Sequence, residues 1–213
     1  LLELVLKILL CYLLGSVLGS LIVGRLRGGV DIRKLGSGNA GGTNALRTQG
    51  VFFAFGVMVI DIGKGWVAAR VLPNMHIPGV TEGLIERQWL AVACAAAVVA
   101  GHVYPIWYGF RGGKGAATLV GVLAGLHPQA LGPVLACWIL VLVITGYVGL
   151  ATVLATAFFP FYLALFDHAS ALPLMSFAIA MALFVLFTHR ANISRMRAGT
   201  ENRAHRVWLL RPR

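Results

Sequence analysis

The sequence predicts an all-α integral membrane protein, a bundle of about seven transmembrane helices with the amino terminus outside and the carboxyl terminus cytoplasmic. Of its 213 residues, 59% are hydrophobic and only 12% are charged, giving a mean hydropathy of +0.84. The apolar residues fall in long blocks, as lipid-facing helices require, without the ten-residue alternation of a transmembrane barrel. Lys and Arg collect in junctions that consecutive spans would place on one side of the membrane, the usual topology signal.

The blocks cover residues 4–26, 51–72, 89–108, 113–126, 130–146, 148–166 and 172–188. The first is too long for a signal-peptide core and lacks a small-x-small cleavage site after it, so it reads as a mature helix. Gly15, Ser16, Gly19 and Ser20 within it have the small-xxx-small spacing that lets helices approach closely. Between the second and third blocks, the polar stretch 73–88 with Pro73, Pro78 and Gly79 suits an interfacial turn. The fourth block is short: fourteen residues make about 21 Å of helix against a hydrocarbon core of about 30 Å. The last ten residues are the one stretch that reads as disordered. The whole chain, 1–213, is expected to form a single transmembrane domain.

Charge decides whether the fourth block crosses. With seven spans, residues 25–50, the loop holding Arg111 and Lys114, and the tail after residue 188 share one side and carry fourteen of the eighteen Lys and Arg. With six, the tail's seven arginines move to the outer side and the positive-inside bias is lost. A net charge of +11 is thereby a topology signal. Nucleic-acid binding is not expected, because the basic residues sit among glycines without interleaved stacking aromatics. Cys11, Cys94 and Cys137 lie within apolar blocks, with neither metal-site spacing nor a shared loop for a disulfide, and are expected to pack.

Three polar clusters fall on the predicted cytoplasmic side. The first, DIRKLGSGNAGGTNALR (31–47), contains the pattern G-x-G-x-x-G at Gly36, Gly38 and Gly41. A dinucleotide site needs a preceding strand and a βαβ unit, whereas a membrane helix precedes this run. Its glycines permit turns whose N–H groups converge on an anion, and Ser37, Asn39, Thr43 and Asn44 add short polar groups. A helix starting near Gly42 would place Thr43 and Arg47 on one face.

The second cluster is GHVYPIWYGFRGGKGAAT (101–118). It fails the P-loop pattern twice: the first Gly would fall on Tyr108, and Lys114 is followed by Gly115 where a Ser or Thr is required. With no Mg²⁺ ligand in view, nucleotide hydrolysis is not expected. A glycine loop carrying a Lys into a helix amino terminus is still a phosphate cradle, built here from Gly112, Gly113 and Lys114. His102 either caps the end of the third block or serves this cradle.

The third cluster is HRANISRMRAGTE (189–201), where His189, Asn192 and Arg195 are helix neighbours in succession. The helix dipole accounts for cations there, but not for Asn192 or Glu201. Inside the second block Asp61 and Lys64 stand three residues apart. A lone charge at that depth costs about 2.5–3.5 kcal/mol on insertion scales, so the two are expected to pair and face the bundle.

Together the three runs resemble the acyl-phosphate:glycerol-3-phosphate acyltransferase family (PlsY type), whose marks are GSGNxGATNxxR, GHxFPxxxxFKGGKGxAT and HRxNIxRLxxGxE. Here they stand as GSGNAGGTNALR (36–47), the whole of the second cluster and the whole of the third. Gly42, Tyr104, Arg111 and Met196 are conservative departures. The family's Ser-x-Pro in the first helix lacks its Pro, since Leu18 follows Ser16 and Val17, which argues against a kink there.

The resemblance implies a bacterial cytoplasmic-membrane enzyme, its site facing the cytoplasm, that moves a fatty acyl group from acyl phosphate to the 1-hydroxyl of glycerol 3-phosphate. The products would be 1-acylglycerol 3-phosphate (lysophosphatidate) and phosphate, without a metal or nucleotide cofactor. Membrane lipid is the expected surrounding, and no obligate protein partner is evident.

Ser37, Lys114, His189 and Asn192 are the expected catalytic residues. Gly38, Asn39, Thr43, Asn44, Arg47, His102, Gly112, Gly113, Arg195 and Glu201 are the expected binding residues. No His has an Asp five positions later, so the His–Asp base of other glycerolipid acyltransferases is missing. Acyl phosphate is already activated, and proximity plus charge stabilisation can lower most of the barrier. The base is then the donor's own phosphate or His189. The rival from another class, a transporter of phosphate esters, would line a path at the membrane midplane, whereas these polar groups crowd one edge.

Overall fold

The computed structural model describes residues 1–167, 172–205 and 207–210. Among the described residues no strand occurs, and the chain runs through α1 (Leu2–Ser16), α2 (Gly19–Leu26), α3 (Gly42–Gln49), α4 (Val51–Trp66), α5 (Arg87–Val103), α6 (Ala116–Leu126), α7 (Leu131–Thr145), α8 (Val148–Phe166), α9 (Leu172–Thr188) and α10 (Arg190–Arg197). All seven predicted blocks are helical. Four stretches are long and apolar enough to cross a membrane, and up to six if α1 with α2 (bent 45°) and α9 with α10 (bent 53°) each count as one span. The helix of the fourth block is α6, an eleven-residue apolar segment, about 17 Å long. His168, between the sixth and seventh blocks, and Arg213 lie outside the described residues. The chain divides into two compact units, Leu1–His127 and Pro128–Arg213.

In the first unit, glycines set how closely the helices cross. A Cβ on Gly15 would strike the Val98 carbonyl and one on Gly101 the Tyr12 carbonyl, so α1 and α5 meet backbone to backbone. Gly65 against Thr118 and Gly121 against Ile62 do the same for α4 and α6. These contacts bear out the close packing expected of Gly15 and extend it to three more helices. Ile32, Ala45, Phe53, Ala54 and Val57, with Val23 and Val30 beside them, form the core that seats the 31–50 segment on α2 and α4.

The first block is not one straight helix. It breaks at Val17 and Leu18 without any Pro, contrary to the expectation from the missing Ser-x-Pro, because partners from α4 satisfy the exposed ends. Lys64 Nζ donates to the carbonyls of Gly15 (2.9 Å) and Val17 (2.7 Å), while Gly19 N–H donates to Asp61 Oδ1 (3.1 Å). A cation meets the carboxyl end of α1 and an anion the amino end of α2, the signs that helix dipoles favour. Lys64 and Asp61 also pair directly at 2.9 Å, both buried, as expected.

At the opposite end of α1, Glu3 accepts from Lys7 at 2.8 Å and from Arg87 at 3.0 Å, and both cations also donate to the Pro73 carbonyl. The 73–88 segment is thereby fastened at its two ends. Cys11 and Cys94 are buried free thiols.

In the second unit α7 pairs with α8 and α8 with α9, and α7 leaves Ile139 and Leu140 exposed as a lipid-facing helix does. Among the described residues of the tail, Ala204, Trp208 and Leu209 depart from the expected disorder. Leu209 N–H donates to the Val143 carbonyl (3.0 Å), Trp208 Nε1–H to that of Ile144 (2.9 Å) and Ala204 N–H to that of Gly146 (2.7 Å). Carbonyls at the end of α7 have no helical partner, and the tail supplies one. Gly146, at φ +75°, lies against the Trp208 ring, where a side chain would crowd it. The Arg203 guanidinium stacks on Tyr147 and Trp208, 4.5 and 4.0 Å from the ring centroids.

Candidate active site

The first cluster folds around Asn44. Its Oδ1 accepts from Ser37 N–H (3.0 Å), and its Nδ2 donates to the carbonyls of Ile32 (2.9 Å), Leu35 (3.0 Å) and Asn39 (2.9 Å). Asn44 is 1% exposed, and these four bonds staple the loop. Gly36 and Gly38 take positive φ, +57° and +72°, and Gly38 N–H closes a turn on the Leu35 carbonyl (3.0 Å). That N–H is engaged within the loop and does not converge on an anion. Asn39 is half-buried beside Gly41.

The expected helix does begin at Gly42. Ser37, Thr43 and Arg47 are the exposed polar side chains of this cluster among those named.

The second cluster departs from the simple cradle in the same way. Gly112 N–H donates to the Val103 carbonyl and Gly113 N–H to the His102 carbonyl, both at 3.1 Å. These are last-turn carbonyls of α5 that lack helical donors, and capping them engages the two glycine amides. What faces onward is Lys114, half-buried, followed by Gly115 at φ +89° as the N-cap of α6. The anion-attracting groups are therefore the Lys114 ammonium and the first-turn N–H groups of α6, which have no acceptor within their own helix.

His102 is 2% exposed and lies beneath this loop. Its Nδ1 is 2.9 Å from Lys64 Nζ and 3.5 Å from Asp61 Oδ1. A Cβ on Gly113 would run into its Nε2. It supports the loop from beneath.

Sequence reasoning missed Arg33, which it counted only as a topology charge. Arg33 donates to Asp31 from Nε (3.0 Å) and Nη2 (2.9 Å), reaches the carbonyls of Tyr108 (3.4 Å) and Arg111 (3.3 Å), and stacks on the Tyr108 ring. The adjacent guanidinium holds the Asp31 carboxyl below the ordinary carboxylate range, so this bracket between the first two clusters stays ionised at neutral pH. A basic residue three positions before Gly36 gives no hint of a partner seventy-five residues on.

The third cluster is ordered by a Schellman turn. Gly199 (φ +70°) follows the C-cap of α10. Its N–H donates to the Met196 carbonyl (3.1 Å) and Thr200 N–H donates to that of Arg195 (2.9 Å), the paired bonds of that motif. The reversal returns Glu201 over α10, where Oε1 accepts from Asn192 Nδ2 (2.7 Å) and Oε2 from Arg195 Nε (2.6 Å). Glu201 thus orients two donors.

His189 stands at the bend before α10, 4% exposed, with Nδ1 2.9 Å from the Val185 carbonyl. That acceptor fixes the neutral ring's proton on Nδ1 and makes Nε2 the basic nitrogen. Gly149, in the first turn of α8, lies flush with Asn192, 3.1 Å from where its Cβ would stand.

Among the described residues, no group of three or more His, Cys, Asp or Glu could hold a metal ion.

The family model described as "Glycerol-3-phosphate acyltransferase" matches residues 5–199. Glycerol-3-phosphate acyltransferases of Chlorobaculum tepidum and Chlorobaculum parvum are each 38% identical, over 92% of this chain and 94% of theirs. The glycerol 3-phosphate form of PlsY, an integral membrane glycerol 3-phosphate acyltransferase, superposes with a TM-score of 0.80 at 29% identity, covering 94% of each chain. Its lysophosphatidic acid form does so with a TM-score of 0.78.

Proposed function

The chain belongs to the glycerol-3-phosphate acyltransferase family, and we propose that its acyl donor is acyl phosphate and its acceptor the 1-hydroxyl of glycerol 3-phosphate. It is an integral membrane enzyme that acylates glycerol 3-phosphate. The observation that carries the finer reading is the state of the acids. In the three clusters the carboxylates are Asp31, engaged with Arg33, and Glu201, engaged with Asn192 and Arg195. The remaining donors are cations, hydroxyls, an imidazole and the amino end of α6. That set suits phosphate-bearing substrates and a developing oxyanion, and it needs a donor that arrives already activated.

In this reading Lys114, the first turn of α6, Ser37 and Thr43 hold the acyl phosphate. Arg47, His189, Asn192 and Arg195 orient glycerol 3-phosphate. The 1-hydroxyl oxygen attacks the acyl carbon, the acyl carbon–oxygen bond to phosphate breaks, and phosphate leaves. The hydroxyl proton passes to a phosphate oxygen of the donor, with His189 Nε2 as the alternative acceptor.

Purified protein supplied with acyl phosphate and glycerol 3-phosphate is expected to make lysophosphatidate undiminished after exhaustive chelation. Loss of activity in chelator that returns with Mg²⁺ or Zn²⁺, or turnover only with acyl thioesters, contradicts the reading.

The orientation is part of the proposal: a bacterial cytoplasmic membrane, seven crossings that include α6, and a cytoplasmic site. A single cysteine placed in 33–50 or after Arg213 is expected to resist an impermeant thiol reagent in intact cells, while one in 73–88 or beside His127 reacts. Labelling of the tail cysteine in intact cells contradicts the topology.

A further inference from the structure

Lys64, Asp61 and His102 are buried, ionisable and mutually in contact, yet acyl transfer as described above uses none of them. Each is tied to backbone. Lys64 takes the carbonyls of Gly15 and Val17 and Asp61 takes the Gly19 N–H, so together they hold both ends of the α1–α2 break. His102 Nδ1 lies 2.9 Å from Lys64 Nζ and 3.5 Å from Asp61 Oδ1, and its Nε2 is the atom that Gly113 covers. The His102 carbonyl receives the Gly113 N–H as well. The residue next to Gly113 is Lys114.

Two lesser ties run the same way. Tyr12 Oη–H donates to the Tyr104 carbonyl (2.7 Å), and Ile106 N–H donates to Ser16 Oγ (3.3 Å), joining the last turns of α1 to the loop that leads into Gly112.

We infer that Lys64, Asp61 and His102 form a strut that fixes the Gly113–Lys114 loop against the broken first helix and so positions the Lys114 ammonium for acyl transfer. The inference rests on the reading that Lys114 serves the acyl phosphate. The glycine is part of the device: a side chain at residue 113 would push the loop off the imidazole. The paired charges let a polar strut exist at membrane depth, since each neutralises the other and both meet oriented peptide dipoles. The three are positioning residues.

The test uses the full-length protein in detergent or nanodiscs. His102→Asn keeps a polar group near the Nδ1 position; His102→Ala does not. His102→Ala is expected to raise KM for acyl phosphate at least about tenfold, with KM for glycerol 3-phosphate within about twofold, and His102→Asn to recover most of the loss. The doubly neutral variant Asp61→Asn/Lys64→Gln, which leaves no lone buried charge, should show the same split. In a Lys114→Arg background, with its weakened anion contact, adding His102→Ala should cost much less than it does alone, the non-additivity expected of coupled residues.

Equal loss in both backgrounds, or a fall in kcat and in both KM terms together, overturns the strut. If Lys114→Arg is itself silent, the assignment of Lys114 fails instead, and the two failures are distinct.

Discussion

Lys114→Ala is expected to remove acyl transfer by about 100-fold or more, the scale of losing one donor that stabilises developing charge, while the protein still inserts and folds. Lys114 stands between Gly113, whose amide caps α5, and Gly115, which caps α6. The loop is held from below by His102 and from the side by Arg33. A phosphate dianion at the edge of the bilayer feels an ammonium more strongly than an exposed pair does, because the effective dielectric is lower. Lys114→Arg should also be poor, as a planar fork does not replace a compact ammonium beside a glycine-lined turn. Arg70→Ala, at an exposed position of the second block, is the control and should be near neutral. A folded Lys114→Ala protein that turns over at close to the parental rate returns this loop to a mere topology signal.

The second large effect is expected at Glu201, which does no chemistry. Its carboxylate holds Asn192 by one oxygen and Arg195 by the other. Glu201→Ala releases both donors at once and should lower kcat/KM for glycerol 3-phosphate about 10- to 100-fold, the scale at which small misplacements act. Glu201→Gln should fall between, because an amide oxygen can still accept from Asn192 but brings no charge to Arg195. The comparison separates orientation from charge. Parental kcat and KM in Glu201→Ala would show that Asn192 and Arg195 do not owe their function to this carboxylate.

What the sequence could convey depended on whether a residue's role is local. The seven apolar blocks were legible because length and hydropathy are local properties, and all are helical, the first as the broken pair α1 and α2. The start of α3 at Gly42 and the Asp61–Lys64 pair were legible for the same reason, being spacing arguments within one turn.

The stapling role of Asn44 was not legible, because the same amide that could meet a phosphate can close a loop, and the path of the backbone from Ile32 to Asn39 decides which bonds it makes. Gly112 and Gly113 were assigned amides for an anion, but the unsatisfied carbonyls at the end of α5 sit nearer and take them. Glu201 remained unexplained until the left-handed Gly199 turned it back over α10. The break in the first helix was least legible of all. No Pro marks it, and the groups that stabilise it come from α4, more than forty residues away. The family resemblance singled out the three clusters; which of their groups hold the loops came from the hydrogen bonds.

The most direct test of the central claim is phosphate release from acyl phosphate by the purified protein, measured with and without glycerol 3-phosphate. Release is expected only when glycerol 3-phosphate is present, with lysophosphatidate formed in equimolar amount. Release at the same rate without the acceptor would make the protein a phosphatase, and glycerol 3-phosphate uptake into sealed vesicles without product would make it a transporter; either result contradicts the account.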